Sequence, residues 1–373
     1  MKLRTVLILF FVLIASYCYS QSGYSYYIHD YKINPSDSNK LFLEIDNTNF
    51  IKNNEYFGPV AEGYTLLGFN LSPKIQYFPN SRIKLSAGAN LLSYYGRENE
   101  INASLLLSFQ YKINEHFDFV LGNIYGTVNH KLIEPIYDFE RFLNNNIENG
   151  IQFLWNYDRI FTDLWLDWEQ QILQGDPFQE IFNVGLSSEF ILLKKEDRYS
   201  LSIPFQNIVR HEGGQINSNN GESLKTIFNN ATGLSFKKTI HQKYLKKIIL
   251  SSFIVNYQDL SPNKKQLYID GTGFYPSIEL GNNSFDLLLG YWYGNQFIAP
   301  LSNPIFESYS RTKFFVEEPV RQLITSKLSY QKDVFKGINL SVRLESYYDI
   351  LNVNMEYAWG ILIVINDRFF LKE

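Results

Sequence analysis

Residues 82–113 read RIKLSAGANLLSYYGRENEINASLLLSFQYKI, and their alternation decides the fold. Ile83, Leu85, Ala87, Ala89 and Leu91 fall on one side of an extended chain, with Arg82, Lys84, Ser86, Gly88 and Asn90 on the other. Beyond a polar turn the pattern returns: Ile101, Ala103, Leu105, Leu107, Phe109, Tyr111 and Ile113 alternate mostly with Asn102, Ser104, Ser108, Gln110 and Lys112. A period of two belongs to the β-strand. Runs of about ten or more residues exceed the five or six of most soluble strands and match the roughly 9 to 11 that a tilted strand needs to cross a bilayer.

Working outward from these two, the same reading gives sixteen strands at 40–50, 63–77, 82–95, 101–113, 117–127, 147–157, 159–173, 180–193, 198–210, 223–238, 246–258, 267–280, 285–296, 319–331, 338–349 and 354–369. Short turns follow the even-numbered strands, at Pro79-Asn80-Ser81, Asn114-Glu115-His116 and Asn156-Tyr157-Asp158, for example; the long connections, 128–146, 211–222 and 297–318, fall on the other side. An even count with short turns on one rim and long loops on the other predicts an all-β, transmembrane, antiparallel up-and-down β-barrel over 40–373, both ends in the periplasm. A lead at 21–39 precedes it.

Composition supports this. The chain has 373 residues, 45% hydrophobic and 19% charged, with a formal charge of -4, which excludes disorder and leaves no one-sign field for nucleic acid. A mean hydropathy of -0.20 is too low for several apolar helices. A secreted soluble sandwich fails because faces rich in Arg, Lys, Asp, Glu and Asn cannot fill a dry core without unpaired charge. The 27 Tyr, 30 Phe and 5 Trp find a place as interfacial girdles, with Tyr77, Tyr111, Phe117, Trp155, Tyr199, Tyr330, Tyr357 and Trp359 as candidates. Lys2, Arg4 and the apolar run from Val6 to Ala15 read as a signal peptide over 1–20, cut before Gln21. The only cysteine, Cys18, then leaves with it, or is a lipidated first residue in a less well matched signal. The mature chain has no disulfide or thiol nucleophile, and no cofactor or metal is expected.

The last strand places Trp359, Ile361, Ile363, Ile365 and Phe369 on one face after Gly360, although Asp367 interrupts the face and Leu371-Lys372-Glu373 follow Phe370. This resembles the C-terminal strand by which bacterial outer-membrane proteins are recognised, and the mature chain as a whole resembles porin-like outer-membrane β-barrels. Segments such as EGYTLLGFNLSPKIQYFP, ENGIQFLW, DLWLDWEQQI and GDPFQE resemble an uncharacterised barrel family of Bacteroidota. The resemblance implies an outer-membrane location and a lipid-surrounded barrel, and supplies no activity.

Inward faces assigned by alternation set a basic wall, Lys74, Arg82, Lys84 and Lys112, against an acidic and aromatic one, Asp163, Trp165, Asp167, Glu169 and Glu189. Such opposed walls make a transverse field across a water-filled bore or, equally, ion pairs that brace it. Trp165 beside Asp167 or Glu169 also fits stacking of a sugar ring. In the connection 128–146, Leu132, Ile136, Phe139 and Leu143 recur at helical spacing and predict a short amphipathic helix. Glu134, Asp138 and Glu140 on it are constriction candidates that would face Arg82 and Lys84, or else cap the outer rim.

No G-x-S-x-G, H-E-x-x-H or phosphate-loop motif is present, and the rim residues His130 and His211, the latter beside Glu212, read as polar loop residues. The sequence therefore predicts a non-enzyme: a porin-like channel for passive passage of small hydrophilic solutes. The alternative is a non-conducting structural or accessory subunit of a secretion or polysaccharide-handling assembly. Outer-membrane lipid is a partner in both, and a homo-oligomer or an envelope-complex partner is open.

Overall fold

The computed structural model describes residues 27–97, 100–196, 198–214, 223–313 and 315–372. The expected signal peptide, the start of the lead and residues 215–222 of one long loop lie outside them. Sixteen strands form one closed antiparallel barrel: β1 Lys40–Glu55, β2 Tyr64–Asn80, β3 Ile83–Tyr94, β4 Ile101–Asn114, β5 Phe117–Asn123, β6 Asn149–Tyr157, β7 Ile160–Gln170, β8 Glu180–Lys195, β9 Tyr199–Gly213, β10 Lys225–Thr239, β11 Lys247–Asp259, β12 Asp270–Gly281, β13 Phe285–Asn295, β14 Val320–Phe335, β15 Ile338–Asp349 and β16 Asn354–Lys372. Each pairs with its sequence neighbours, and β1 closes on β16 from Leu41–Lys372 to Glu55–Tyr357. Alternation puts all eight proposed girdle aromatics on the outward face; Phe117 and Trp155 stack there at 4.6 Å between ring centroids.

A sixteen-strand barrel is wide enough to hold water unless something fills it. Here the long loops do. The connection 124–148 and the connection 296–319 both fold into the lumen, where Leu132, Ile136, Leu143, Phe297, Ile305 and Phe306 are at most 1% exposed. All but Leu143 pack with inward wall residues such as Val120, Leu154, Trp165, Ile208, Val255, Trp292 and Leu323 as one core, while Leu143 joins a second with Tyr27, Phe50 and Phe139. The expected helix over 128–146 is reduced to one turn, α1 Arg141–Asn144, preceded by a 3-10 turn at Thr127–His130. The apolar residues are buried as the spacing predicts, but Pro135 and several turns carry the chain between them. From the other end the lead enters the barrel: Tyr27 packs on Phe139 and Phe142, Ile33 on Phe42 and Phe78, and Asp37 pairs with Arg368 at 2.9 Å.

Candidate functional site

A polar cavity of about 380 Å³ lies in the short-turn half of the lumen, between the wall of β1–β4, the lead and the underside of the loop 124–148. Strand alternation aims Glu44 and Asp46 of β1, Lys74 of β2 and Lys84 of β3 into it. The lead brings His29, anchored by its backbone N–H to Asn129 Oδ1 at 3.0 Å. His29 Nδ1 lies 4.0 Å from Asp46 Oδ1. Lys74 Nζ bridges Glu44 at 2.8 Å and Asp46 at 2.6 Å, and Lys84 Nζ donates to the Tyr125 hydroxyl at 3.1 Å. Ligand atoms of His29, Glu44 and Asp46 lie within 4.8 Å of one another, a spacing that suits a cation. The Lys74 ammonium already bridges both carboxylates and so stands where that cation would sit.

An imidazole beside a carboxylate, with a second ammonium close by, is the equipment of hydrolysis: a base for water, a group to orient it, and a donor for a developing oxyanion. His29 gives no local signal in sequence, because the lead reaches the β1 carboxylates only through the closed topology.

The predicted walls divide. Lys74 and Lys84 line the cavity, and Lys112 sits at the short-turn end of β4, paired with Glu115 at 2.7 Å. Arg82 is not on the wall; it is exposed in the β2–β3 turn. Glu134, Asp138 and Glu140 do not face Arg82 and Lys84, because their loop fills the long-loop half of the lumen while those two lie at the short-turn end. Glu134 pairs with Lys327 of β14. Glu140 pairs with Lys52 of β1 at 2.9 Å and accepts from Asn54 and Tyr64. Lys52 also meets Glu345 of β15 at 3.2 Å, which Arg343 bonds at 2.7 Å. Burial pushes the Asp138 carboxyl up to about 7, and neighbouring Glu140 adds to this.

The acidic and aromatic wall is occupied by protein. Trp165 is 2% exposed and stacks on the His130 ring at 3.6 Å and 8°, leaving no face for a sugar. Gly185 on β8 makes room for it: a Cβ there would come within 2.0 Å of the indole. His130 is wholly buried between Asp163 on Nδ1 and Glu148 on Nε2, both at 2.8 Å. Burial pulls the imidazole down, but the Glu148 and Asp163 carboxylates outweigh it and lift it to about 9. The reciprocal effect holds Glu148 near 2 despite its burial. Asp167 accepts from the Asn149 N–H, Glu169 from Arg141 and Arg210 at 2.7 and 2.8 Å, and Glu189 from Ser202. Asp163 with His130 and Glu169 with Arg141 brace the loop against the wall, whereas Glu189 with Ser202 joins β8 to β9.

His211 sits near the outer end of β9 and faces out, where Nδ1 bonds Thr226 Oγ1 at 2.8 Å and the ring leans on Phe182. Among the described residues no carboxylate bonds this ring, so the pair lacks an orienting acid.

The closed frame, lipid-facing girdles and short-turn rim define an outer-membrane β-barrel of porin architecture. The chain belongs to the lipid A 3'-O-deacylase-type family, whose model matches residues 33–373. Its fold is similar to OprD of Pseudomonas aeruginosa, with 8% identity, a TM-score of 0.52, and 92% of this chain and 96% of that chain covered. It is also similar to Salmonella typhi OmpF in complex with daunomycin, with 10% identity, a TM-score of 0.51, and 89% and 99% covered. A loop-deletion form of Vibrio cholerae OmpT gives 10%, 0.50, 89% and 99%. At such identities the likeness is one of fold alone. No curated protein sequence matches the chain.

Membership of a deacylase-type family overturns the expectation of a non-enzyme. That expectation rested on missing linear motifs, and a barrel assembles its reacting groups from strands and loops far apart in sequence.

Proposed function

We propose that the protein is an outer-membrane hydrolase that removes an ester-linked acyl chain from a glycolipid of the lipid A class, with the luminal cavity as its reaction site. The observation that carries this reading is the convergence of His29, Asp46 and Lys84 on a polar cavity of the lumen. The family description gives the bond type and the lipid. In this reading His29 takes a proton from the water that attacks the ester carbonyl, Lys84, held by Tyr125, faces the carbonyl oxygen as charge develops on it, and as the acyl carbon–oxygen bond breaks His29, oriented by Asp46, returns the proton to the leaving sugar oxygen. The 4.0 Å between His29 and Asp46 closes to a hydrogen bond with a ring movement of about 1 Å, as is common when a substrate binds. Export by the leader at 1–20 is part of the same reading.

The test is fatty-acid release from lipid A by the purified protein, followed by mass spectrometry. The parent chain should release one acyl chain, and His29→Gln should slow it by about 10²- to 10⁴-fold. No release by the parent chain rejects the hydrolase; equal release by His29→Gln rejects the site.

A second reading, passive passage of small hydrophilic solutes, is supported by the porin frame and by Lys74 and Lys84 on the cavity wall. It requires the packed loops to leave the lumen, and planar-bilayer recordings decide it: steady conductance steps from the intact chain would favour the channel.

A further inference from the structure

The short-turn ends of β8–β11 carry a step from apolar to basic that runs level across four strands. Ser202, Ser235 and Ile249 point into the lumen and are buried, so Leu201, Phe236 and Leu250 point out. Pairing sets Leu193 beside Leu201, Leu201 beside Phe236 and Phe236 beside Leu250, one outward apolar row. Two residues nearer the turns, on the same face, Lys195 pairs with Tyr199, Tyr199 with Lys238 and Lys238 with Ile248. The Tyr199 ring leans on Phe236 at 6.3 Å between centroids and so joins the two rows. Both lysines are exposed, and neither ammonium has a hydrogen bond or ion pair among the described residues.

Lysines at the rim of a barrel ordinarily reach back into water. Charge balance sets these two apart. The stretches KKEDR at 194–198 and KKTIHQKYLKK at 237–247 hold three and five basic residues against two acidic ones, both in the first stretch. Lys247 turns inward and is paired with Glu279 and Asp286, which leaves Lys195 and Lys238 on the outward face. Elsewhere on the same rim the signs are mixed: Lys112 meets Glu115, Asp158 adjoins Arg159, and Asp333 follows Lys332. The row itself marks its level in the membrane. Like Tyr199, the outward rings of Tyr77, Tyr111, Phe117, Trp155 and Tyr330 stand near the short-turn ends of their strands, the girdle at which a barrel passes from hydrocarbon to headgroups. An occupant that touches both rows is apolar where it meets Leu201 and Phe236 and anionic where it meets Lys195 and Lys238.

We infer that the outward face of β8–β11 holds an anionic phospholipid, with its phosphate between Lys195 and Lys238 and its acyl chains along Leu193, Leu201, Phe236 and Leu250. The two lysines flank Tyr199 about 10 Å apart at Cα, two strand spacings, so both long side chains close on one phosphate and the tyrosine hydroxyl supplies a third donor. The luminal cavity lies among inward residues of β1–β4, so the inference stands apart from the hydrolase reading.

The test is native mass spectrometry of the purified protein released from mixed micelles that hold phosphatidylglycerol and phosphatidylcholine with the same acyl chains. The parent chain should retain phosphatidylglycerol in preference. Lys195→Gln with Lys238→Gln should weaken that retention about thirtyfold, the effect of taking two lysines from an anionic lipid surface. Lys332→Gln with Lys336→Gln removes the same charge from the β14–β15 turn and should leave retention unchanged. All four lysines are exposed, and heat-modifiable gel mobility checks that each variant is a folded barrel. Equal retention of the two lipids by the parent, a Lys195/Lys238 variant that keeps the preference, or an equal loss in the Lys332/Lys336 variant overturns the inference. Glycerol phosphate that displaces the lipid at equal concentration overturns it in favour of a soluble anion, because the apolar row would then contribute nothing.

Discussion

Replacing His130 by Leu tests whether the loop 124–148 is held in the lumen by a buried imidazolium. The ring lies between Glu148 and Asp163, at 2.8 Å from each, and all three side chains are at most 1% exposed. Without it two carboxylates confront each other with no cation between them. Breaking a buried pair in this way costs about 3–5 kcal/mol. The pH dependence is a second measure of the same bond. His130 titrates near 9 in the folded protein against an ordinary 6.5, a difference worth about 3 kcal/mol. The folded value is the higher one, so this stability is fully present below about 6.5 and is lost as pH rises through about 9. Glu148 does not confuse the window: its value is depressed to about 2, so its contribution is lost only as pH falls through about 2. Asp138 is raised to about 7, and its contribution fades between 3.8 and about 7, below most of the range in question. Urea unfolding of the barrel in micelles, followed by tryptophan fluorescence at pH 6.5, 8 and 10, should show the parent chain ahead of His130→Leu by about 3 kcal/mol at pH 6.5 and that lead shrinking towards pH 10. Groups common to both chains, such as the Tyr27 and Tyr137 hydroxyls that burial raises, cancel in the difference. A difference as large at pH 10 as at 6.5, or none at either pH, would show that the imidazole is neutral and that packing alone holds the loop.

Other outcomes follow from the same filled lumen. The intact chain should give no conductance step in a planar bilayer, whereas deleting 128–146 together with the lead up to residue 39 should open one; an intact chain that conducts counts against the plug. Trp165→Ala should lower the unfolding free energy measured in urea by about 3–5 kcal/mol by removing a buried ring from both the core and the His130 stack. Gly185→Ala, which adds one carbon against that ring, should cost about 1–3 kcal/mol, and an unchanged midpoint would show that the indole can move.

The sixteen strands were legible because each carries its own evidence: a period of two over a membrane-crossing length, bounded by turn residues. Lys74, Lys84, Asp163 and Trp165 were legible as inward for the same reason. Arg82 was misplaced because parity continues past the last paired residue, and only the hydrogen bonding of the turn shows that the wall has stopped. What parity cannot show is the partner of an inward charge. A carboxylate or ammonium in a bore is satisfied by water or by an opposite charge carried on a loop, and the two are close in free energy, since desolvation offsets most of the attraction in a buried pair. Lys52 with Glu140 and Glu345, and Lys327 with Glu134, join residues from separate strands and a loop, so no local pattern distinguishes them from a hydrated wall. The decisive signal was apolar. Leu132, Ile136, Phe139 and Leu143 lie in an outer loop, and Phe297, Ile298, Leu301, Ile305 and Phe306 in another, at positions with no lipid to face. In a loop above a membrane such residues have one dry destination, the lumen, and burying roughly nine of them at about 1.5–3 kcal/mol each favours filling the bore over keeping water in it.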